Sequence, residues 1–501
     1  MSTIRRQSII SSVIVYFGFA LGLLNTYLYT RQGGFTKAEY GLTNTFIAFA
    51  SIMFSVASIG MPAYIGKFFP YYRSNLEPKQ RDILSWALLL PCAGFLLVSV
   101  LGLLFKDVLV NRIFNNSPQL LEYYYWTFPF GFGYLLFMVM EAYAWQQRRA
   151  VLSNFLKEVV FRFMVTVLIV LTTLGVIRNF EGFIGIYAFL YLVLFLFLLL
   201  KLRQDGQLHL SLKISKVTRR FKRKIVTLVS FVWGGSLVYN VANVFDGIVI
   251  AAVVPDGMAQ AGIFYLAQNI SSLMQAPQRA VVSAAMGPLS EAWKRKDYGK
   301  INHIYHRSSI NQLIFASAMF CLIWINFEDA ISTFRIQGDF IAAKWVFFFI
   351  GLYRIIDMGT GLNAQIIGTS NFWRFEFISG LLLLGLSLPL NWALTRQLGI
   401  IGPAVSNLIA FTVYNLVRYI FLWRKFRMQP FTSKSLYTLL LTAGCYFVCV
   451  LLFEHYRGFV WIMIRSAVFC LLFATGMLML KLSPDVQPVL ATLKKRLGIG
   501  N

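Results

Sequence analysis

The sequence predicts an all-α integral membrane protein of about 14 transmembrane helices: two parallel six-helix lobes plus two C-terminal helices, with both termini in the cytoplasm. Three observations predict it. Of 501 residues, 58% are hydrophobic and only 13% charged, whereas a soluble chain is about a quarter charged, so most of the surface must face lipid. The apolar residues form stretches that each supply the roughly 20 residues a bilayer requires, and the alternation of a transmembrane barrel is missing. Finally, basic residues sort to alternate loops, as they do in membrane proteins.

The spans are expected near 8–30, 40–62, 83–105, 118–142, 152–177, 180–202, 225–252, 259–285, 305–326, 340–362, 375–396, 400–422, 434–453 and 459–480. Arg5 and Arg6 precede an apolar run too long for a signal-peptide core, so the first span is read as retained. With the N-terminus inside, 35 of the 46 Lys and Arg lie at or toward cytoplasmic segments, 9 at external ones, and Arg162 and Arg465 within spans. A miscount by one span would scramble that bias. The loop between spans six and seven alone carries nine: Lys201, Arg203, Lys213, Lys216, Arg219, Arg220, Lys222, Arg223 and Lys224. The net charge of +26 is therefore read as topogenic charge beside anionic membrane lipids rather than as a nucleic-acid footprint. The cysteines, Cys92, Cys321, Cys445, Cys449 and Cys470, all sit in apolar segments without metal-type spacing and read as small hydrophobes.

The chain repeats itself. Ser153-Asn154-Phe155 recurs as Ser370-Asn371-Phe372, and Gly182-Phe183-Ile184-Gly185 as Gly399-Ile400-Ile401-Gly402, both at an offset of 217. Gly41 and Gly262 open spans two and eight at an offset of 221. The repeat is six spans long. Six is even, so the copies share an orientation, the parallel-repeat arrangement of some transporters. The expected organisation is an N-lobe at 1–202, a basic cytoplasmic linker at 203–224, a C-lobe at 225–425, and two extra spans with a cytoplasmic tail at 426–501.

Polar residues facing lipid are costly, so polar stripes should face a cavity or another helix. Ser236, Asn240, Asn243 and Asp246 share a face of span seven; Gln268, Ser272, Gln275 and Arg279 share a face of span eight. They line a hydrophilic cavity or they bond neighbouring helices together. Arg279 is the candidate anion site, and Asp246, with no neutralising neighbour on its own helix, the ion-coupling candidate. Glu158–Arg162 and Arg354–Asp357 have helical spacing and should pair, and Arg465 should snorkel to an outer end. Glu328 and Asp329 read as a solvated acidic pair. Gly18 and Gly22 form a GxxxG packing motif. His303 and His306 have no cysteine nearby to complete a metal site. No P-loop, nucleophile elbow or dinucleotide fingerprint occurs; no cofactor, metal or catalytic residue is expected.

Three segments carry a family resemblance: RQGGFTKAEYGLTNTF from Arg31, with ASIGMPAYIGKFFP ending at Pro70; GIFYLAQNISSLMQAPQRAVVSAAMGPLSEAW from Gly262; and GIIGPAVSNLIAFTVYNLVRYIFLWRKF from Gly399. In their order and spacing they resemble the polysaccharide and O-antigen oligosaccharide flippases of the multidrug/oligosaccharidyl-lipid/polysaccharide exporter superfamily. The resemblance implies two six-helix lobes, two extra helices and a central cavity. It also implies a multi-pass protein of the bacterial plasma (inner) membrane. Its function would be to move an undecaprenyl-pyrophosphate-linked oligosaccharide from inner to outer leaflet during O-antigen, lipopolysaccharide, capsule or exopolysaccharide synthesis, with polysaccharide polymerase machinery as a partner. Pyrophosphate wants basic groups and a sugar wants amides and hydroxyls, which Arg279, Gln275, Ser272, Gln268, Asn240 and Asn243 supply. The competing readings are a cation-coupled multidrug antiporter of the same superfamily, using Asp246, and a membrane glycan polymerase or ligase, which the short external segments disfavour.

Overall fold

A bilayer core offers no water to backbone polar groups, so each N–H and C=O must be bonded within its own segment, which a helix achieves. In the computed structural model the described residues are 3–483, with backbone alone at 3–13, 110, 238, 239, 243, 280, 283 and 373, and they are overwhelmingly helical. The last 18 residues of the expected tail lie outside them. The chain divides into two compact units, Met1–Tyr265 and Leu266–Asn501.

In the first unit, α1 (Thr3–Thr30) leads to α2 (Lys37–Ala57). A capping box fixes the start of α2: Thr36 Oγ1 accepts the Glu39 N–H at 3.2 Å and the Glu39 carboxylate accepts the Thr36 N–H at 2.6 Å. Gly60, at φ +67°, makes the left-handed turn into α3 (Met61–Asn75). There follow α4 (Ile83–Leu104), α5 (Pro118–Tyr123), α6 (Thr127–Gln146), α7 (Ala150–Phe155), α8 (Phe161–Thr173), α9 (Phe180–Tyr187), α10 (Leu190–Gln204) and α11 (Lys216–Val253); α12 (Gly257–Ser272) begins in this unit. A π-helical turn, Leu156–Val160, joins α7 to α8. Without hydrophobic drive in lipid, packing holds the helices together, and the core is accordingly aromatic. Phe180, Phe183 and Tyr187 stack along α9 at centroid distances of 5.5 and 5.9 Å, and Tyr187 stacks on Phe130 at 5.0 Å.

α2 and α12 cross backbone to backbone. A Cβ on Gly41 would strike the Met258 carbonyl oxygen, and one on Gly262 would strike that of Lys37. The contact is reciprocal under the 221-residue offset of the repeat, because 37 and 41 map onto 258 and 262. Such mutual contact is what a two-fold axis produces, so the repeat-related glycines meet each other. The turn before α12 is fastened as well: Ser117 Oγ donates to the Ala251 carbonyl at 2.6 Å, and the Gly257 N–H donates to the Asn116 carbonyl at 2.9 Å. α11 runs along α2 and α3, with Trp233 Nε1 donating to the Ser55 carbonyl at 2.8 Å. At its start, Ser215 N–H and Thr218 Oγ1 both donate to the fully buried Asp82, at 2.9 and 2.7 Å.

The second unit holds α13 (Ala276–Arg295), α14 (Tyr298–Thr333), α15 (Ala343–Gly359), α16 (Asn363–Gly368), α17 (Trp373–Leu398), α18 (Gly402–Phe426), α19 (Ser433–Phe453) and α20 (Phe459–Met479). Both repeat motifs fall at breaks between helices. Gly182 lies in the first turn of α9 and Gly399 in the 3₁₀ turn that opens α18, while Ser153 precedes the π turn and Ser370 sits between α16 and α17.

Among the described residues, eight stretches are long and apolar enough to cross a membrane by length and composition: Lys37–Ala57, Pro78–Leu104, Phe180–Gln204, Lys216–Ala242, Tyr298–Thr333, Arg374–Phe426, Ser433–Phe453 and Phe459–Met479. Within the expected fourth, fifth and eighth spans the helix is interrupted instead, by 3₁₀ turns at Tyr124–Trp126 and Leu273–Gln275 and the π turn at Leu156–Val160, and the tenth opens with a 3₁₀ turn at Gly338–Ala342.

The glycine crossing is testable. Gly41→Ala puts a methyl group into a carbonyl oxygen and should cost about 1–3 kcal/mol, the range for overpacking. Gly66→Ala, whose Cβ meets nothing within 4 Å, should be neutral or slightly stabilising. Thermal unfolding of the two purified variants in one detergent compares them.

Candidate functional site

The residues singled out on span seven belong to α11. Ser236 is exposed and Asn240 half-buried, its Nδ2 donating to the Ser236 carbonyl at 3.0 Å, so that amide is bonded within its own helix. The Asn243 side chain lies outside the described residues. Asp246 is buried at 6% exposure beside Gly247, which packs on the ring of Tyr265, a residue whose hydroxyl is buried without a hydrogen-bond partner among the described residues.

The span-eight stripe straddles a break. Gln268 and Ser272 end α12, Gln275 closes the 3₁₀ turn, and Arg279 sits in the first turn of α13, exposed, after Pro277. The expected continuous helix is interrupted here because proline is at home in a first helical turn and lacks an N–H for the preceding one. Broken helices are a common way to present helix ends and polar side chains at membrane depth.

One residue before Arg279 begins a network that sequence reasoning did not assemble. Gln278 Nε2 donates to Asp357 Oδ2 at 3.0 Å, and Asn415 Nδ2 donates to Asp357 Oδ1 at 3.2 Å. Asn415 Oδ1 in turn accepts from Thr360 Oγ1 at 2.9 Å and Asn363 Nδ2 at 2.8 Å. One helical turn further along α18, Arg418, 3% exposed, pairs with Glu376 of α17 and stacks on the Tyr414 ring with its guanidinium carbon 3.5 Å from the centroid. The i,i+3 pairing expected of Arg354 with Asp357 is not made. Arg354 lies over the Tyr353 ring at 4.6 Å with its Nε buried and unbonded, while Asp357 turns to the two amides. Asp357 is thus a half-buried carboxylate held by neutral donors. Tyr414, Asn415 and Arg418 share a helix face, the one signal in the sequence that pointed here.

In the first unit, Glu158 and Arg162 do pair, at 3.0 Å. Lys157 of the same π turn reaches Glu141 of α6 at 3.3 Å. The GxxxG of α1 lies against this segment: a Cβ on Gly18 would fall 2.6 Å from the Glu158 carbonyl oxygen, and one on Gly22 would fall 3.3 Å from Arg162 Nη1. Asn25 closes the contact by donating to the Arg162 carbonyl at 2.8 Å and accepting from Thr166 Oγ1 at 2.6 Å.

Two expectations for the far end of the second unit are corrected. Arg465 does not snorkel and Asp329 is not solvated; they pair at 3.3 Å, 6% and 1% exposed. Arg465 also donates to the carbonyls of Ile325 and Tyr456 at 2.8 Å, and Asp329 accepts the Gly458 N–H at 2.9 Å. The turn between α19 and α20 folds onto the end of α14 and excludes solvent from both. Next to them Glu328 pairs with Lys344 at 2.6 Å. Of the thiols, Cys321, Cys445 and Cys449 are buried, Cys92 half-buried and Cys470 exposed.

No family model and no curated protein sequence matches the chain. Solved structures do. The lipid II flippase MurJ in an inward closed conformation aligns with a TM-score of 0.73 and 15% identity, over 94% of this chain and 98% of its own. The chain has the same fold. An inward-facing multidrug resistance MATE family transporter of the MOP superfamily aligns at 0.63 and 14% identity over 82% of this chain and 94% of its own. A mutant of the Vibrio cholerae MATE transporter VcmN aligns at 0.54 and 13% over 85% and 98%. At these identities the likeness is one of fold. It bears out the all-helical bundle expected from the sequence.

The buried pair gives a prediction. Asp329→Ala or Arg465→Ala strands a charge and should destabilise by roughly 3–5 kcal/mol, whereas Asp329→Leu with Arg465→Met should recover most of that loss. Thermal unfolding of the three variants against the parent decides it.

Proposed function

We propose that the chain is a carrier, not an enzyme, that moves an undecaprenyl-pyrophosphate-linked oligosaccharide repeat unit from the inner to the outer leaflet of a bacterial inner membrane. It would work by alternating access, for the synthesis of O-antigen, capsule or exopolysaccharide, alongside polymerase machinery. The observation that carries the reading is the extent of the likeness to MurJ: 94% of this chain, against 82% for the MATE transporter. The added C-terminal helices expected from the sequence resemblance fit that reach.

The residues fit a lipid-linked anionic sugar. Arg279 takes the pyrophosphate, since a guanidinium matches phosphate oxygens with two parallel hydrogen bonds. Gln268, Ser272, Gln275, Asn240 and Asn243 bond the sugar. Gln278 and Arg279 share a turn, so the substrate's charge and the Asp357 carboxylate contact adjacent residues of α13. An ion or proton at Asp357 would then be sensed where the substrate binds, and Asp246 is the other ion-coupling candidate. The membrane potential is a second source of drive, at about 2.3 kcal/mol per charge per 100 mV.

Buried Asp246 and the fold likeness to MATE transporters support a second reading, a cation-coupled multidrug antiporter.

The test is Arg279. Arg279→Ala and Arg279→Gln at matched expression should lower surface glycan delivery about tenfold or more, the worth of a charge-assisted hydrogen bond, with Arg279→Lys retaining more activity. Normal delivery by both the Ala and Gln variants contradicts the anion-site assignment. A change in cationic-drug resistance with glycan delivery intact favours the antiporter.

A further inference from the structure

The far end of the second unit contains a cavity of about 170 Å³ where α14, α15, α19 and α20 meet. Its wall carries Glu328, Lys344, Glu454, Arg457 and Arg465 beside Trp324 and an apolar side that includes Ile325 and Val450. Two of these charges are spent within the protein: Lys344 pairs with Glu328, and Arg465 pairs with Asp329 behind the wall. What they leave is specific. Arg457 and Glu454 form no ion pair among the described residues and stand three positions apart in the turn that follows α19. The cavity therefore presents one open cation, Arg457, and one open anion, Glu454.

From this geometry we infer that the cavity binds the headgroup of a zwitterionic phosphoethanolamine lipid, with the phosphate on Arg457 and the ammonium on Glu454. Counting Asp329, the charged groups around the cavity balance, so a zwitterion leaves no net charge in a partly enclosed site, whereas an anionic headgroup would. The short P–O–C–C–N span suits charges this close together in the chain. The apolar wall is formed by Tyr446, Cys449, Val450 and Phe453, which share one face of α19, and it offers contact to the acyl chains next to the headgroup. By the charge bias of the loops this end faces the outer leaflet, remote in sequence from the Gln278–Arg279 turn. The site does not rest on the carrier reading.

The experiment uses the full-length protein purified from bilayers holding equal amounts of phosphatidylethanolamine, phosphatidylglycerol and phosphatidylcholine, with retained lipid counted by native mass spectrometry. The parent protein should keep phosphatidylethanolamine about tenfold over the other two, the worth of one charge-assisted hydrogen bond. Arg457→Glu should abolish that preference, and so should Val450→Trp, which fills the cavity without touching a charge. Arg457 is exposed, so its substitution leaves the fold standing. Free phosphoethanolamine should not displace the bound lipid, since the apolar side contributes to holding it. Equal retention of the three lipids, a preference for phosphatidylglycerol, survival of the preference in both variants, or displacement by free phosphoethanolamine would each overturn the assignment.

Discussion

The backbone crossing of α2 and α12 at Gly41 and Gly262 is the constraint on which the first unit is built. Neither position tolerates a Cβ, because a carbonyl oxygen of the other helix occupies its place. The contact is reciprocal, and the residues that make it are related by the internal repeat. In lipid, where apolar side chains gain nothing by leaving their solvent, helices associate through close packing, and small residues permit the closest. The same logic recurs where Gly18 and Gly22 of α1 receive the 158–162 segment. Once α2 and α12 are fixed, the hydrogen-bonded turn at 254–257 positions the end of α11, and Trp233 and Asp82 hold that helix along its length.

Polarity supplies the second constraint. A bilayer leaves an unpaired charge expensive, and most deep charges in this chain answer with a partner: Glu158 with Arg162, Glu141 with Lys157, Glu376 with Arg418, and Asp329 with Arg465. Asp357 departs from the pattern, held by two amides where a cation would neutralise it. Among the described residues no cation pairs with this carboxylate, so an ion or proton that bound there would restore neutrality. Its position beside the turn that carries Arg279 connects such a site to the side chain best suited to a phosphate.

Local features were legible in the sequence. The all-helical class, the basic loop before α11, the GxxxG notch and the Glu158–Arg162 pair all follow from composition and spacing within one segment. What the sequence concealed depends on pairs of helices. Arg465 meets Asp329 across 136 positions and Arg418 meets Glu376 across 42, separations that no helical periodicity encodes. Arg354 and Asp357 show the opposite error. Their i,i+3 spacing permits a bond, yet Gln278 and Asn415 from neighbouring helices claim the carboxylate first. Pro277 stood in plain view, but whether it kinks a helix or opens a new one depends on the packing around it, and here α13 starts at Ala276.

The central claim is that a lipid-linked oligosaccharide crosses the membrane on this protein. Its most direct test is deletion of the gene in the cell of origin, followed by extraction of the lipid-linked oligosaccharides. A complete repeat unit should accumulate, shielded from an externally added glycan-modifying probe, and re-expression should clear it. No accumulation, together with heightened sensitivity to cationic drugs, would contradict the claim.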